Sequence, residues 1–269
     1  MTIDVRMPGA NSTTAGNTAI FKLPTGRRYH DLQIEFSGIT LAQMTEIRVL
    51  ANGKPIHRYT GAMRNVLNKF DGRQDASVSN VLVIPFTRYK LKNRQAEEET
   101  ALNTGSDQAI RSLTLEIDMH ADAAATEFKM NATQSDNVDE LTPILHCLYY
   151  PRSTAGAGEA QFGDLPFGKL TSQALNRVFI KPDSGTVEKV VIERDTYTIF
   201  ERSKGLNDSI QKDGVRVAQS GYYVIDRTEK GYGGDPIALA GAQDYRYRVE
   251  FTEAAQVDFQ IEYIGGLGD

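Results

Sequence analysis

Residues 46–72 read EIRVLANGKPIHRYTGAMRNVLNKFDG, and the fold turns on this stretch. Ile47 and Val49 mark a strand, Asn52-Gly53 a tight turn, and Ile56 and Arg58 the returning strand. Asn-Gly between extended runs signals a hairpin, because both central residues must accept positive φ. A short helix follows, with Met63, Val66, Leu67 and Phe70 at i, i+3, i+4 and i+7 on one apolar stripe. Asp71-Gly72 then stops it, since glycine tolerates the left-handed turn that ends a helix.

The same grammar returns further along. Leu23-Pro24-Thr25-Gly26 is matched by Leu165-Pro166-Phe167-Gly168, and Asp71-Gly72 by Asp213-Gly214, both 142 residues on. Between the later markers come two strands (190–192 and 197–200) and a short amphipathic helix carrying Leu206 and Ile210. A shared offset with a shared order of elements predicts an internal duplication.

Outside the repeat core, apolar and polar residues alternate at Leu32, Ile34 and Phe36, at Leu113, Leu115, Ile117 and Met119, and at Val257, Phe259, Ile261 and Tyr263. That period of two is the signature of half-buried strands. Residues 81–86 (VLVIPF) form a short apolar strand, and 87–109 read as a long, polar, exposed excursion. Many short strands with only two helices predict an all-β chain of two tandem eight-stranded jelly rolls, each with a short helix. Residues 1–17 read as a mobile polar arm, 18–150 as the first jelly roll, 151–160 as a linker and 161–269 as the second. Tandem immunoglobulin-like sandwiches fit less well, given a helix in each half and no Trp.

The 269 residues carry 30 basic and 35 acidic side chains, a net charge of −5 that argues against a protein coating nucleic acid. Cys147 is the one cysteine, so no intrachain disulfide forms, and its apolar setting ILHCLYY suits an inert thiol. No apolar run approaches the ~18 residues needed to span a bilayer. The N-terminal stretch has no hydrophobic signal region, so the chain is expected to remain in the cytosol.

Chemistry is sparse. His30, His57, His120 and His146 make no H-x-H, H-E-x-x-H or Cys-His cluster, the metal motif that a two-domain cupin needs. There is no G-x-S-x-G elbow, and the glycine-rich run at 231–234 lacks a strand-then-helix context. Glu116 and Asp118 share the polar face of one strand, as a glycosidase pair could, but nothing sets them across a cleft. Asp136, Asp139 and Glu140 are candidate ligands for a structural calcium, a hard cation wanting several oxygens; no cofactor is otherwise required. Arg27 and Arg28, with Arg6, are candidate contacts to anionic lipid headgroups.

The order I-R-V-x-x-N-G-K-x-I, Tyr59-Thr60-Gly61, Leu67-Asn68-Lys69-Phe70, V-I-P-F and S-L-T-L-E-I-D resembles the double jelly-roll major capsid proteins of tailless icosahedral viruses with an internal membrane. Among them the likeness is greatest to the corticovirus type, a marine lipid-containing bacteriophage. In the second half, Gly205-Leu206-Asn207, Gln219-Ser220-Gly221-Tyr222-Tyr223 and RYRVEFTEAA continue it. The resemblance implies homotrimers that act as pseudo-hexagonal capsomers in a lattice over a membrane enclosing the genome. It also implies vertex and membrane proteins as partners, no sequence-specific nucleic acid binding, no catalysis, and residence in the virion after assembly in the host cytoplasm. A carbohydrate-binding or glycan-processing β-sandwich is the alternative, weakened by the missing Trp despite 12 Tyr.

Overall fold

The computed structural model describes residues 1–105, 110–124, 126–138, 141–165 and 174–268. Contacts divide the chain into two units, the first ending at Cys147 and the second starting at Leu148. Unit 1 runs β1 (Ile3–Arg6), β2 (Thr18–Leu23), β3 (Arg28–Ser37), β4 (Met44–Ala51), β5 (Lys54–Tyr59), α1 (Gly61–Phe70), α2 (Ala76–Ser79) and β6 (Val81–Pro85). It continues with α3 (Arg94–Glu98), β7 (Leu102–Asn103), β8 (Leu113–Met119) and β9 (Glu127–Ser135). The boundary falls within β10 (Ile144–Thr154). Unit 2 then runs β11 (Gly158–Phe162), β12 (Ala174–Pro182), β13 (Val187–Arg194), β14 (Tyr197–Ser203), α4 (Lys204–Ile210), β15 (Tyr223–Asp226), β16 (Ile237–Ala238), β17 (Tyr245–Phe251) and β18 (Ala255–Gly265).

Each unit is a sandwich of two four-stranded sheets, and the double jelly-roll fold is borne out. In unit 1 the orders are β1-β9-β3-β6, with short β7 on β3, and β5-β4-β8-β2. In unit 2 they are β10-β18-β12-β15, with short β16 on β12, and β14-β13-β17-β11. The strands therefore correspond one for one, β1 with β10 through β9 with β18. Inward residues such as Phe21, Ile34, Ile117 and Met130 fill the first core; Ile180, Ile192, Tyr247 and Phe259 fill the second. Aromatic edges bridge the facing sheets, Phe21 to Phe128 at 6.0 Å in unit 1 and Phe162 to Phe259 at 5.0 Å in unit 2.

The deciding stretch folds as its sequence demands. Asn52 and Gly53 take φ of 52° and 78°, and Ala51 faces Lys54 across the turn. Thr60 caps α1 by accepting from the Met63 N–H at 3.0 Å, and Gly72 turns left-handed after it. Unit 2 repeats these devices 143 residues on. Asp195-Thr196 make the turn at φ 48° and 77°, and Ser203 caps α4 where Thr60 caps α1. Both hairpins carry a bulge, whose extra residue is Ile56 in β5 and Ile199 in β14.

The helix differs from expectation in what it buries. Met63 and Val66 are half-exposed, while Arg64, Asn65 and Asn68 lie inward beside Leu67 and Phe70. Buried amides need partners, and here they clasp the helix to the next strand. Asn68 Nδ2 donates to the Val83 carbonyl at 2.9 Å and its Oδ1 accepts from Arg64 at 3.1 Å. At the matching position Gln211 donates to the Val224 carbonyl at 2.7 Å, as does Asn207. Asn68→Ala orphans two buried groups and is expected to destabilise by roughly 2–3 kcal/mol, whereas Gln211→Ala leaves Val224 partnered and is expected to lose about 1 kcal/mol or less. Chemical denaturation of the two variants checks the asymmetry.

Three readings are corrected. The stretch 1–17 is no mobile arm: Ile3 and Val5 give β1 one apolar face, and it pairs with β9 from Ile3↔Gln134 to Arg6↔Asn131. Met7 is buried, and its N–H donates to the Met130 carbonyl at 2.8 Å. Nor is 151–160 a linker, because β10 extends to Thr154 and β11 starts at Gly158, paired with Phe251. The small residues mark only the turn between those strands. In the excursion 87–109, Arg88 and residues 100–104 are buried, since Thr100 and Thr104 satisfy the backbone there by donating to Phe86 and Arg27 carbonyls.

Candidate functional site

Side chains able to do chemistry were traced first. His57 is buried in β5, with Nε2 on the Leu145 carbonyl at 2.9 Å and Nδ1 on the Tyr59 hydroxyl at 3.2 Å. Burial, helped by the Arg64 charge, brings its pKa down to about 3, so it stays neutral. His30 is bonded to Ser135 at 2.9 Å and is also lowered, chiefly by burial. His120 lies exposed against Asp122, and Cys147 is a buried free thiol. Among the described residues no three His, Cys, Asp or Glu side chains gather as a metal site would require.

The paired carboxylates are occupied. Arg48 reaches Glu116 at 3.0 Å and Asp118 at 2.7 Å and also pairs with Glu46, which Arg58 approaches at 2.5 Å. This is a cross-strand ion ladder on the polar face of β4 and β8. Unit 2 has its counterpart, with Arg248 between Glu159 at 2.8 Å and Glu193 at 2.6 Å. Neither pair faces across a cleft.

Two candidates from different proposals meet. Arg27 donates to Asp136 at 3.2 Å, so a candidate calcium ligand is neutralised by a candidate lipid contact. Asp139 and Glu140 lie outside the described residues. Arg28 turns away from Arg27 toward the Glu98 and Ala101 carbonyls, and burial lowers its pKa against the pull of Glu98. Arg6 sits exposed at the end of β1 opposite Asn131. The three arginines do not form one cluster of like environment.

What stands out instead is apolar surface. Of the nine exposed large hydrophobic residues described, six fall between 197 and 232: Tyr197, Ile199, Leu206, Ile210, Val217 and Tyr232. Sequence reasoning missed this set, because an apolar letter in a strand or helix period reads as core. It also missed the buried ion pairs of unit 2, Arg177–Glu262 at 2.5 Å and Arg216–Asp226 at 2.9 Å, which pin strand to strand and loop to strand.

Rigid sandwiches, internally paired charges and a band of exposed apolar residues suit contact with other chains better than turnover of a small molecule. Comparison with known proteins agrees. The model of the viral coat protein P2 N-terminal domain matches residues 4–135, and that of its C-terminal domain matches residues 144–267. The major capsid protein P2 of Pseudoalteromonas phage PM2 is 22% identical over 255 residues, covering 94% of this chain and 93% of the relative. The crystal structure of that phage's P2 superposes with a TM-score of 0.89 at 21% identity, over 99% of this chain and 98% of the other. A chain from the atomic structure of Sulfolobus Turreted Icosahedral Virus gives a TM-score of 0.70 at 10% identity, over 99% and 91%.

Proposed function

Belonging to the viral coat protein P2 family, the chain is a structural major capsid protein with no enzymatic role, and we propose that three copies form its building block. Its place is the virion capsid, where it acts by associating with itself. The observation that supports a trimer is the strand-for-strand duplication. Two like units in each of three copies present six, so a body with threefold symmetry can occupy a hexagonal place in an icosahedral lattice. Closed symmetry of this kind spreads binding over many repeated contacts rather than one site. The shell lies over an internal lipid membrane around the genome, with vertex and membrane proteins as neighbours, and the chain waits in the host cytoplasm before assembly.

Sedimentation of the purified chain at micromolar concentration is expected to give trimers. A stable monomer at that concentration counts against the building block. Treating purified particles with a lipid-extracting solvent is expected to raise their buoyant density; an unchanged density removes the membrane from the proposal.

A further inference from the structure

The internal duplication allows each surface of unit 2 to be compared with its counterpart in unit 1. Ile56 and Ile199 are the extra residues of equivalent bulges, and Leu67 and Ile210 hold equivalent places on α1 and α4, in both cases 143 residues apart. Both members are apolar in each pair. Ile56 and Leu67 are 0% exposed, whereas Ile199 is 36% and Ile210 39% exposed. Leu206, one turn before Ile210, is 52% exposed, and Tyr197 at the start of β14 is 76% exposed. Solvent gives no reason to keep large apolar side chains at positions where the sister unit buries them.

The strand edges differ in the same way. In unit 1 the outer edge of β5 is covered: residues 144–147 lie parallel to it, with Cys147 opposite His57. In unit 2 the equivalent strand β14 ends its sheet, and no described residue pairs with its outer edge. An uncovered edge with apolar side chains is a template for another chain. Charges around it are already neutralised at home, Lys189 by Glu201 at 2.5 Å, Arg202 by Glu229 at 2.6 Å and Lys204 by Asp208. Covering such a surface strands no lone charge, which favours a protein partner over an anionic membrane or nucleic acid.

We propose that β14 and the outer face of α4, through Tyr197, Ile199, Leu206 and Ile210, form an interface that a second copy of this chain covers in the coat. The occupant is a second copy because extended backbone of this same protein already closes the equivalent edge in unit 1, and because the family role requires copies to bind one another. The inference rests on the coat reading above.

Hydrogen exchange on the wild-type chain, dissociated and assembled, tests it without any substitution. Amides of residues 197–210 are expected to exchange at least about tenfold more slowly in the assembled coat. The variant Ile199→Asp/Ile210→Asp is expected to weaken association at least about a hundredfold while leaving circular dichroism unchanged. Val78→Asp, an exposed apolar residue of unit 1, serves as the control and is expected to change nothing. Assembly with no added protection at 197–210 overturns this interface and leaves the coat reading intact. A chain that never associates overturns both. Protection conferred by anionic lipid vesicles and not by assembly overturns it in favour of a membrane face.

Discussion

Replacing Glu262 by alanine is expected to destabilise unit 2 by roughly 3–5 kcal/mol, among the largest losses available to one substitution in this chain. Glu262 in β18 faces Arg177 in β12, and the two side chains are 1% and 5% exposed. The Arg177 Nε and Nη2 donate to the two carboxylate oxygens at 2.5 and 3.1 Å, a bidentate fork. Removing the carboxylate leaves a guanidinium in the interior with its chief counter-charge gone, and water has little access to replace it. The penalty therefore comes from the stranded cation more than from the lost bond. The double variant Arg177→Met/Glu262→Leu removes both charges and keeps much of the volume, so it is expected to recover most of the loss. Hydrogen exchange of the β12 and β18 amides reads the effect locally, which matters in a chain of two units. A loss below about 1 kcal/mol for Glu262→Ala sets the account aside, because it means Arg177 finds another partner.

That pair also shows where sequence and structure part company. The elements set by local chemistry were legible: the Asn52-Gly53 turn, the helix stopped at Asp71-Gly72, the period-two strands and the 142-residue echo of motifs. Each depends on neighbours within a few residues. Elements set by distant partners were not. Ile3 and Val5 offer too short an alternation to announce a strand, and only the open edge of β9 makes them one. Arg64, Asn68, Arg177 and Glu262 carry letters that suggest surface, yet each is buried because a specific partner waits across a strand or helix. The reverse holds for Ile199 and Ile210, whose letters suggest core. Their exposure has meaning only once the sister unit is laid beside them. Function was legible mainly through resemblance, since a coat protein works by shape and repetition and leaves no reactive motif to read.

Acid is expected to erode unit 1 through His57, at roughly 1.4 kcal/mol per pH unit and about 3 kcal/mol in all by pH 4. A carbonyl can only accept, so Nε2 carries the proton donated to Leu145, and Nδ1 accepts from the Tyr59 hydroxyl. The neutral ring thus has both nitrogens satisfied. It also stacks 5.4 Å from Phe86 and lies near the Arg64 charge, so a second proton is unwelcome. Its pKa is about 3 in the folded chain against 6.5 when exposed. Below pH 6.5 the unfolded chain binds a proton that the folded chain refuses until about pH 3. Stability is therefore complete above pH 6.5, falls as pH drops through that window, and levels off beneath it. His30 shifts in the same direction and contributes with the same sign, but it is present in both members of the comparison that isolates His57. His57→Gln keeps a donor near Leu145 and cannot titrate, so its stability curve is expected to be flatter than that of the wild type between pH 6.5 and 4. Parallel curves would show that the buried imidazole is not the group responsible. Because Leu145 belongs to the segment lying along β5, the first structure expected to loosen is that edge, seen as faster exchange at residues 144–147.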